Sequence, residues 1–426
     1  MLTVTVVFWI AQMYRRIHIQ ISMDINKNFA LLDEQYLFSK VGQKVEEYIK
    51  NNPNAKLYRL GIGDVSLPIA PCVKFALQKA SIEMSYKDSV KGYGEYAGLE
   101  SLRAEIAKDY DTFCKNTRIG ADEVFVTDGA KNVFCHIMDI FDFDTVLVPD
   151  PVYPVYRDSS LLKGKKVLYA QATTDNDYLP KPNENIRVDI IYLCSPNNPT
   201  GGVYCLKELQ QWVDYALDMG AILFFDAAYK DYIVDSRLPK SIYCCRNATQ
   251  CAIEICSFSK NAGFTGLRCG YVIVPNALQL NGKSVKNAWY RFLSTNTNGV
   301  SYPIQCAALA TLTQDGRAYS QQCIDIYMKN AQWMVTALTN AKKIFSGGSN
   351  APYVWLQVPT RFGELSKRNT RQGDLGFEYF DYLLNTFGVI TTPGIGFGDL
   401  GKDYVRLSAF GDIESTKKSM EYIGKD

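Results

Sequence analysis

Residues 189–226 read DIIYLCSPNNPTGGVYCLKELQQWVDYALDMGAILFFD, and the fold is decided in this stretch. Asp189–Leu193 is a short apolar run that ends in turn-forming residues, Pro196-Asn197-Asn198-Pro199-Thr200-Gly201. Such a run predicts a strand buried on both faces. Lys207–Met219 is helix-like, and Ala221–Phe225 is a second apolar run, closed by Asp226. Strand, helix and strand in succession make one unit of a parallel sheet.

The same alternation extends in both directions. Further strand-like runs are Glu123–Thr127, Thr145–Val148, Lys166–Tyr169, Ala252–Cys256 and Cys269–Val274, and Ala130–Phe141 is another helix. The expectation is an α/β fold whose mostly parallel sheet is covered by helices on both faces. Such sheets bind ligands at the carboxyl ends of their strands. Before this region, residues 34–50 predict a helix leaving an N-terminal arm, and Leu57–Ile62 a short strand. Beyond Pro303 the pattern is helical through Leu338. A strand (Tyr353–Val358), a helix (Glu378–Phe387), strands near 389–392 and 404–408, and a helix after Asp412 complete a smaller α+β domain. Polar residues 361–376 predict a surface loop. The expected division is 23–60 as arm and part of the small domain, 61–310 as large domain and 311–426 as small domain.

Composition narrows the function. The chain has 426 residues, 47% hydrophobic and 21% charged, so it is long enough for two or three domains. With 46 basic against 44 acidic residues the net charge is +2, which is no footprint for nucleic acid. Only His18 and His136 are histidines, which argues against a His-rich metal site and a Ser-His-Asp triad; no metal is expected. Twelve cysteines without a C-x-x-C spacing read as free thiols of a cytoplasmic protein. Asn247-Ala248-Thr249 matches a glycosylation sequon, which means little in that compartment. The apolar residues 2–11 precede Arg15-Arg16 rather than follow a charge, and they are too few to span a bilayer. Residues 1–22 therefore read as a leader, with Met23 as the alternative start and a membrane-associated segment as the rival reading.

Four segments carry chemistry. Ser257-Phe258-Ser259-Lys260 places a lysine just after a buried strand, where its amine could form a Schiff base. Arg268 and the two serines could grip a phosphate; an ordinary loop lysine is the bland alternative. Asp226 stands at a strand's carboxyl end, where it could hold a pyridinium nitrogen protonated or merely cap a turn. Asn198 could donate to a phenolate oxygen. Thr127-Asp128-Gly129-Ala130-Lys131 opens a helix after a strand, a place where backbone amides attract phosphate. Gly396-Phe397-Gly398-Asp399-Leu400-Gly401 matches G-x-G-x-x-G, but a strand rather than a helix follows, so no dinucleotide role is expected.

Taken in order, these segments resemble the fold-type I pyridoxal-phosphate aminotransferases, and within them the LL-diaminopimelate aminotransferase family. The resemblance runs from about residue 28 to the end. It is carried also by Leu60 to Asp64, Asp150-Pro151-Val152-Tyr153-Pro154, Ser195 to Gly201, Phe225 to Tyr229, Ser257 to Tyr271, Asn350-Ala351-Pro352-Tyr353, Thr392-Pro393-Gly394 and Tyr404 to Gly411. It implies a large domain with a seven-stranded sheet and pyridoxal 5′-phosphate as cofactor. Lys260 would carry the cofactor and shuttle a proton, Asp226 would pair with the ring nitrogen, and Asn198 and Tyr229 with the phenolate oxygen. Tyr153 would stack on the ring. Ala130, Lys131, Ser257, Ser259 and Arg268 would hold the phosphate. Arg406 would clamp the substrate α-carboxylate. Gly63, Lys131, Tyr153 and Asn198 would also face the substrate. Tyr36, Tyr93 and Asn298 would reach in from a second subunit of a homodimer.

The implied reaction exchanges an amino group between LL-diaminopimelate and a 2-oxo acid, in lysine biosynthesis. One departure bears on the substrate. Gly92-Tyr93-Gly94-Glu95-Tyr96-Ala97-Gly98 carries Tyr96 where the family has a glutamate for the distal ammonium. An aminotransferase for another amino acid is therefore the alternative, followed by a lyase or racemase on the same fold.

Overall fold

The strand-helix-strand unit forms as the pattern predicts. Strand Ile190–Cys194 and strand Ile222–Asp226 are buried throughout and pair in parallel, with Cys194 opposite Asp226. Helix Leu206–Met219 between them starts on a reciprocal cap, in which the Cys205 amide donates to the Glu208 carboxylate at 2.8 Å. It ends on Gly220 at φ +67°, the left-handed conformation glycine adopts without strain. Its inner face buries Leu209, Trp212, Val213 and Ala216. Fully burying each large apolar side chain is worth about 1.5–3 kcal/mol.

The computed structural model describes residues 23–32, 37–61, 63–360, 362 and 374–425. The leader, Tyr36 and most of the expected 361–376 loop lie outside the described residues.

Seven strands make the main sheet: β1 (Val124–Thr127), β2 (Thr145–Asp150), β3 (Lys166–Gln171), β4 (Ile190–Cys194), β5 (Ile222–Asp226), β6 (Ala252–Ser257) and β7 (Gly270–Ile273). Their order is β1-β7-β6-β5-β4-β2-β3. β3, β2, β4, β5 and β6 run parallel, and β7 is antiparallel to both of its neighbours. Alternate residues feed two cores. Ile191, Leu193, Leu223 and Phe225 pack with Trp212 on one face, and Ile190, Tyr192, Ile222 and Phe224 with Phe134 and Tyr156 on the other. The expected helix Ala130–Phe141 is divided: the α-helix spans Ala130–His136 and a 3-10 turn continues over Ile137–Ile140.

A four-stranded antiparallel sheet forms from β8 (Phe345–Gly347), β9 (Tyr353–Gln357), β10 (Thr392–Pro393) and β11 (Tyr404–Ser408), in the order β8-β9-β11-β10. Its core also takes side chains from helices Gln314–Asn340, Leu375–Phe387 and Ile413–Ile423. Tyr58–Arg59 pairs in parallel with Val389–Ile390, which joins the arm to this second core. The Gly396–Gly401 motif forms two 3-10 turns before β11, not a helix. No described helix is long and apolar enough to cross a membrane.

Candidate active site

The sheet register sets the site. Cys194 lies opposite Asp226, Asp226 beside Ile255, and both Ser257 and Thr127 opposite Gly270. The ends of β4, β5, β6 and β1 thus stand in one row, and the segments leaving them line one cavity of about 410 Å³. That volume suits a small cofactor or substrate. Asn198 follows β4, Tyr229 follows β5, Ser259 and Lys260 follow β6, and Ala130 and Lys131 follow β1. Tyr153 enters after β2, and Gly63, Arg268 and Arg406 complete the wall.

Asp226 is buried, and that burial raises its carboxyl to about pH 6 against two hydrogen bonds that lower it. Those bonds come from the Tyr156 hydroxyl at 2.5 Å and the Ala228 amide at 2.9 Å. Tyr156 is itself fully buried and stacked on Tyr192, with ring centroids 4.8 Å apart and planes 5° from parallel. Sequence reasoning missed Tyr156. The available signal was its place three residues after Tyr153 on helix Val155–Leu162, which brings the two rings edge to face at 5.8 Å.

Lys260 sits on the short helix Phe258–Asn261, which is capped by Ser257 through its Oγ and the Ser259 amide. Burial lowers the Lys260 amine to about 8, and Arg406 and Arg268 act in the same direction against Asp64. Its Nζ donates to the Gly63 carbonyl, and the Tyr232 hydroxyl holds its own carbonyl at 2.7 Å. An amine so poised is neutral far more often than a surface lysine.

Arg268 adopts φ +60°, an uncommon conformation for a residue with a side chain. Its Nη1 donates to Ser259 Oγ at 3.3 Å and to the Thr265 carbonyl at 3.2 Å. Gly129, at φ +120°, lets the guanidinium close in: a Cβ there would lie 2.3 Å from Arg268 Nη2.

Arg406 is almost fully buried on β11 and reaches across to the main sheet. Its Nη1 donates to Asn198 Oδ1 at 2.7 Å and its Nη2 to the Gly61 carbonyl at 2.8 Å. Because a guanidinium only donates, Asn198 must turn its oxygen to Arg406, which leaves the amide nitrogen as a donor. The Arg406 Nε has no hydrogen-bond partner among the described residues. The guanidinium lies 4.5 Å from the Tyr353 ring centre and 5.0 Å from that of Phe397. Phe397 belongs to the glycine-rich motif, whose role here is packing. Tyr229 and Tyr353 share a hydroxyl contact of 2.7 Å, and burial keeps Tyr229 protonated. A Cβ on Gly63 would meet the Tyr353 hydroxyl at 2.9 Å and Arg406 Nη2 at 3.4 Å.

Two of the expected residues stand apart. Tyr93 is 88% exposed and Asn298 is also exposed; neither lines the cavity of its own chain. Their segments are neighbours, since a Cβ on Gly299 would point at the Glu95 carbonyl 3.9 Å away. Tyr96 is half-buried edge-on against Tyr290, whose hydroxyl donates to Glu95 at 3.1 Å. Among the described residues no group of three or more His, Cys, Asp or Glu is placed to hold a metal.

Known proteins resemble this chain over most of its length. The family profile described as aminotransferase class I and II matches residues 55–423. The LL-diaminopimelate aminotransferase of Lachnospira eligens is 42% identical over 413 residues, covering 94% of this chain and 98% of the relative. That of Lawsonia intracellularis is 42% identical over 418 residues, with the same coverage. The solved L,L-diaminopimelate aminotransferase of Chlamydomonas reinhardtii superposes with a TM-score of 0.85 at 35% identity, over 94% of this chain and 98% of that one. A cavity at the strand ends, closed by an arginine from a second sheet, thus stands in a chain matched almost end to end, and the chain belongs to the aminotransferase class I and II family.

Proposed function

We propose that this aminotransferase uses pyridoxal 5′-phosphate to exchange an amino group between LL-diaminopimelate and a 2-oxo acid such as 2-oxoglutarate. One observation carries the reading: a buried carboxylate, Asp226, and a partly buried amine, Lys260, line one cavity, with Arg268 and Arg406 as two separate cationic anchors. The donor set fits the cofactor. A carboxylate suits its ring nitrogen, Arg268 with Ser257 and Ser259 suits its phosphate, and the Asn198 amide with the Tyr229 hydroxyl suits its phenolate. Gly129 is open where a Cβ would fill the cradle.

Pyridoxal 5′-phosphate supplies a carbonyl that takes up the amino group and a ring that accepts electrons. The protein's residues do the rest. Asp226 holds a proton at the ring nitrogen through a carboxylate kept in place by Tyr156 and the Ala228 amide. Lys260, its amine lowered to about 8, would move the proton between the substrate Cα and the cofactor's carbonyl carbon, on the other side of the transferred nitrogen. Arg406 binds the α-carboxylate with the guanidinium N–H groups that Asn198 and the Gly61 carbonyl leave free. Tyr153 covers the ring face, and Ala130 and Lys131 line the phosphate end.

The exposed Tyr93 and Asn298 support a homodimer in which each copy, with its Tyr36, completes the other's site. The two cores support a body over 61–310 and a lobe over 311–426 joined by the arm 23–60. All twelve cysteines are free, which supports the cytoplasm. A second reading rests on Tyr96: without the family's glutamate, an amino acid with a neutral or aromatic distal end is the competing substrate. The test is kcat/KM for diaminopimelate against lysine, glutamate and aromatic amino acids with a common 2-oxo acid. A preference for diaminopimelate supports the first reading, and a preference for an aromatic donor replaces it with the second.

A further inference from the structure

Two thiols outside the cavity lining meet in a way the transamination does not use. Cys114 caps the carboxyl end of helix Glu100–Phe113, and Cys244 closes the 3-10 turn Ile242–Cys244. The two residues are 130 apart in sequence, yet their sulfurs stand 3.2 Å from each other. A disulfide needs about 2.05 Å, so bond formation asks for roughly 1 Å of movement. Cys114 is buried, while Cys244 is the partly exposed residue of the pair.

The geometry points to Cys114 and Cys244 as a peroxide-responsive thiol pair: Cys244 is the sulfur that reacts first, and Cys114 is the one that resolves it to an intramolecular disulfide. The chemistry balances with a hydroperoxide as oxidant. The Cys244 thiolate attacks one peroxide oxygen, the O–O bond breaks, and a sulfenic acid and hydroxide result. The Cys114 sulfur then attacks the Cys244 sulfur and expels the second hydroxide. Both hydroxides take up the protons that the two thiols release. Two thiols and one hydrogen peroxide thus become one disulfide and two waters, and a dithiol reverses the change.

The order of reaction follows from the surroundings. Hydrogen bonding from Cys114 lowers the Cys244 thiol, whereas Cys114 is raised by that same bond and by burial. The thiolate is the nucleophile, so the more acidic sulfur, carried by the more exposed residue, reacts first. The neighbouring Cys245 is no competitor: it is buried and its sulfur faces the Leu206 carbonyl at 4.0 Å, on another side.

The native fold tolerates the bond because both elements are already tied to one buried group. Glu254 accepts from Tyr110 of the helix at 2.6 Å, and from the Ser241 hydroxyl and Ile242 amide of the turn at 2.5 and 3.1 Å. A bridge between the elements would close a very long loop in the unfolded chain, which favours the folded state. The oxidised protein therefore keeps its transamination rate and melts a few degrees higher than the reduced one.

The experiment treats the full-length holoenzyme with hydrogen peroxide, blocks the remaining thiols after unfolding, and maps cross-linked peptides by mass spectrometry. The expected result is one bridge, between the Cys114 and Cys244 peptides, two fewer free thiols than the twelve, and reversal by a dithiol. Cys114→Ser should leave a trappable sulfenic acid on Cys244, and Cys244→Ser should leave Cys114 reduced. Twelve free thiols after treatment, a bridge to another cysteine, or first oxidation at Cys114 would each overturn the proposal. The peptide map on the unsubstituted protein decides the matter even if a serine variant fails to fold.

Discussion

Tyr156→Phe removes one oxygen and leaves the ring in its stack, so it isolates the hydrogen bond to Asp226. The lost bond is a buried donor to an ionised carboxylate at 2.5 Å, a class worth about 1.5–3 kcal/mol. At 1.36 kcal/mol for each pH unit, its loss should raise the Asp226 midpoint by about one to two pH units. Burial already holds that midpoint near 6, so the variant's should fall between about 7 and 8. At pH 7 the ionised fraction would drop from about nine-tenths to between roughly a half and a tenth. Cofactor capture needs the ionised form, because only a carboxylate can pair with a protonated ring nitrogen. The assay is the affinity of the cofactor-free protein for pyridoxal 5′-phosphate across the neutral range, read by absorbance. In the variant the acid limb of that profile should move upward, and affinity at alkaline pH should recover. An acid limb in the same place for both proteins would show that Tyr156 merely fills space. A uniform loss at every pH would point to disturbed packing against Tyr192 instead.

The remaining predictions concern the same cavity. Asp226→Asn should raise the melting temperature of the cofactor-free protein at neutral pH. The folded carboxyl, near 6, binds its proton more tightly than an ordinary aspartate at 3.8, so a penalty of up to about 3 kcal/mol develops as pH rises through that interval. The gain should shrink toward pH 4, and a pH-independent difference would count against burial as its cause. Lys260→Ala should abolish turnover and the visible absorbance of the bound cofactor while the protein stays folded by circular dichroism; residual turnover at the original rate would remove Lys260 from its role. Arg406→Lys should raise KM for every carboxylate substrate about tenfold or more, because lysine cannot reproduce a planar two-bond clamp; an unchanged KM would place the carboxylate elsewhere. Tyr96→Glu should improve kcat/KM for diaminopimelate about 10- to 100-fold, the worth of one charge-assisted bond to the distal ammonium. No gain would mean that Glu95 already serves that end.

Much of this molecule could be read along the chain because the relevant signals are local. The seven apolar runs between turn residues predict strands, and all seven stand in one sheet, each shifted by no more than two residues at either end. Lys260 and Arg268 are eight residues apart, and the turn between them is short enough for their relation to be legible from spacing. The strand that follows Gly396–Gly401 was enough to set aside a nucleotide role. What spacing cannot carry is pairing across distance. Tyr156 meets Asp226 across 70 residues, Tyr229 meets Tyr353 across 124, and Arg406 meets Asn198 across 208. Each contact depends on the strand order β1-β7-β6-β5-β4-β2-β3 and on the second sheet docking against it. That order buries apolar side chains from distant segments in shared cores, and no window of sequence contains them all. Sequence by itself therefore determined the elements and the reactive residue types. Tertiary structure decided which hydroxyl holds the carboxylate, which amide nitrogen is left free, and which two of the twelve thiols meet.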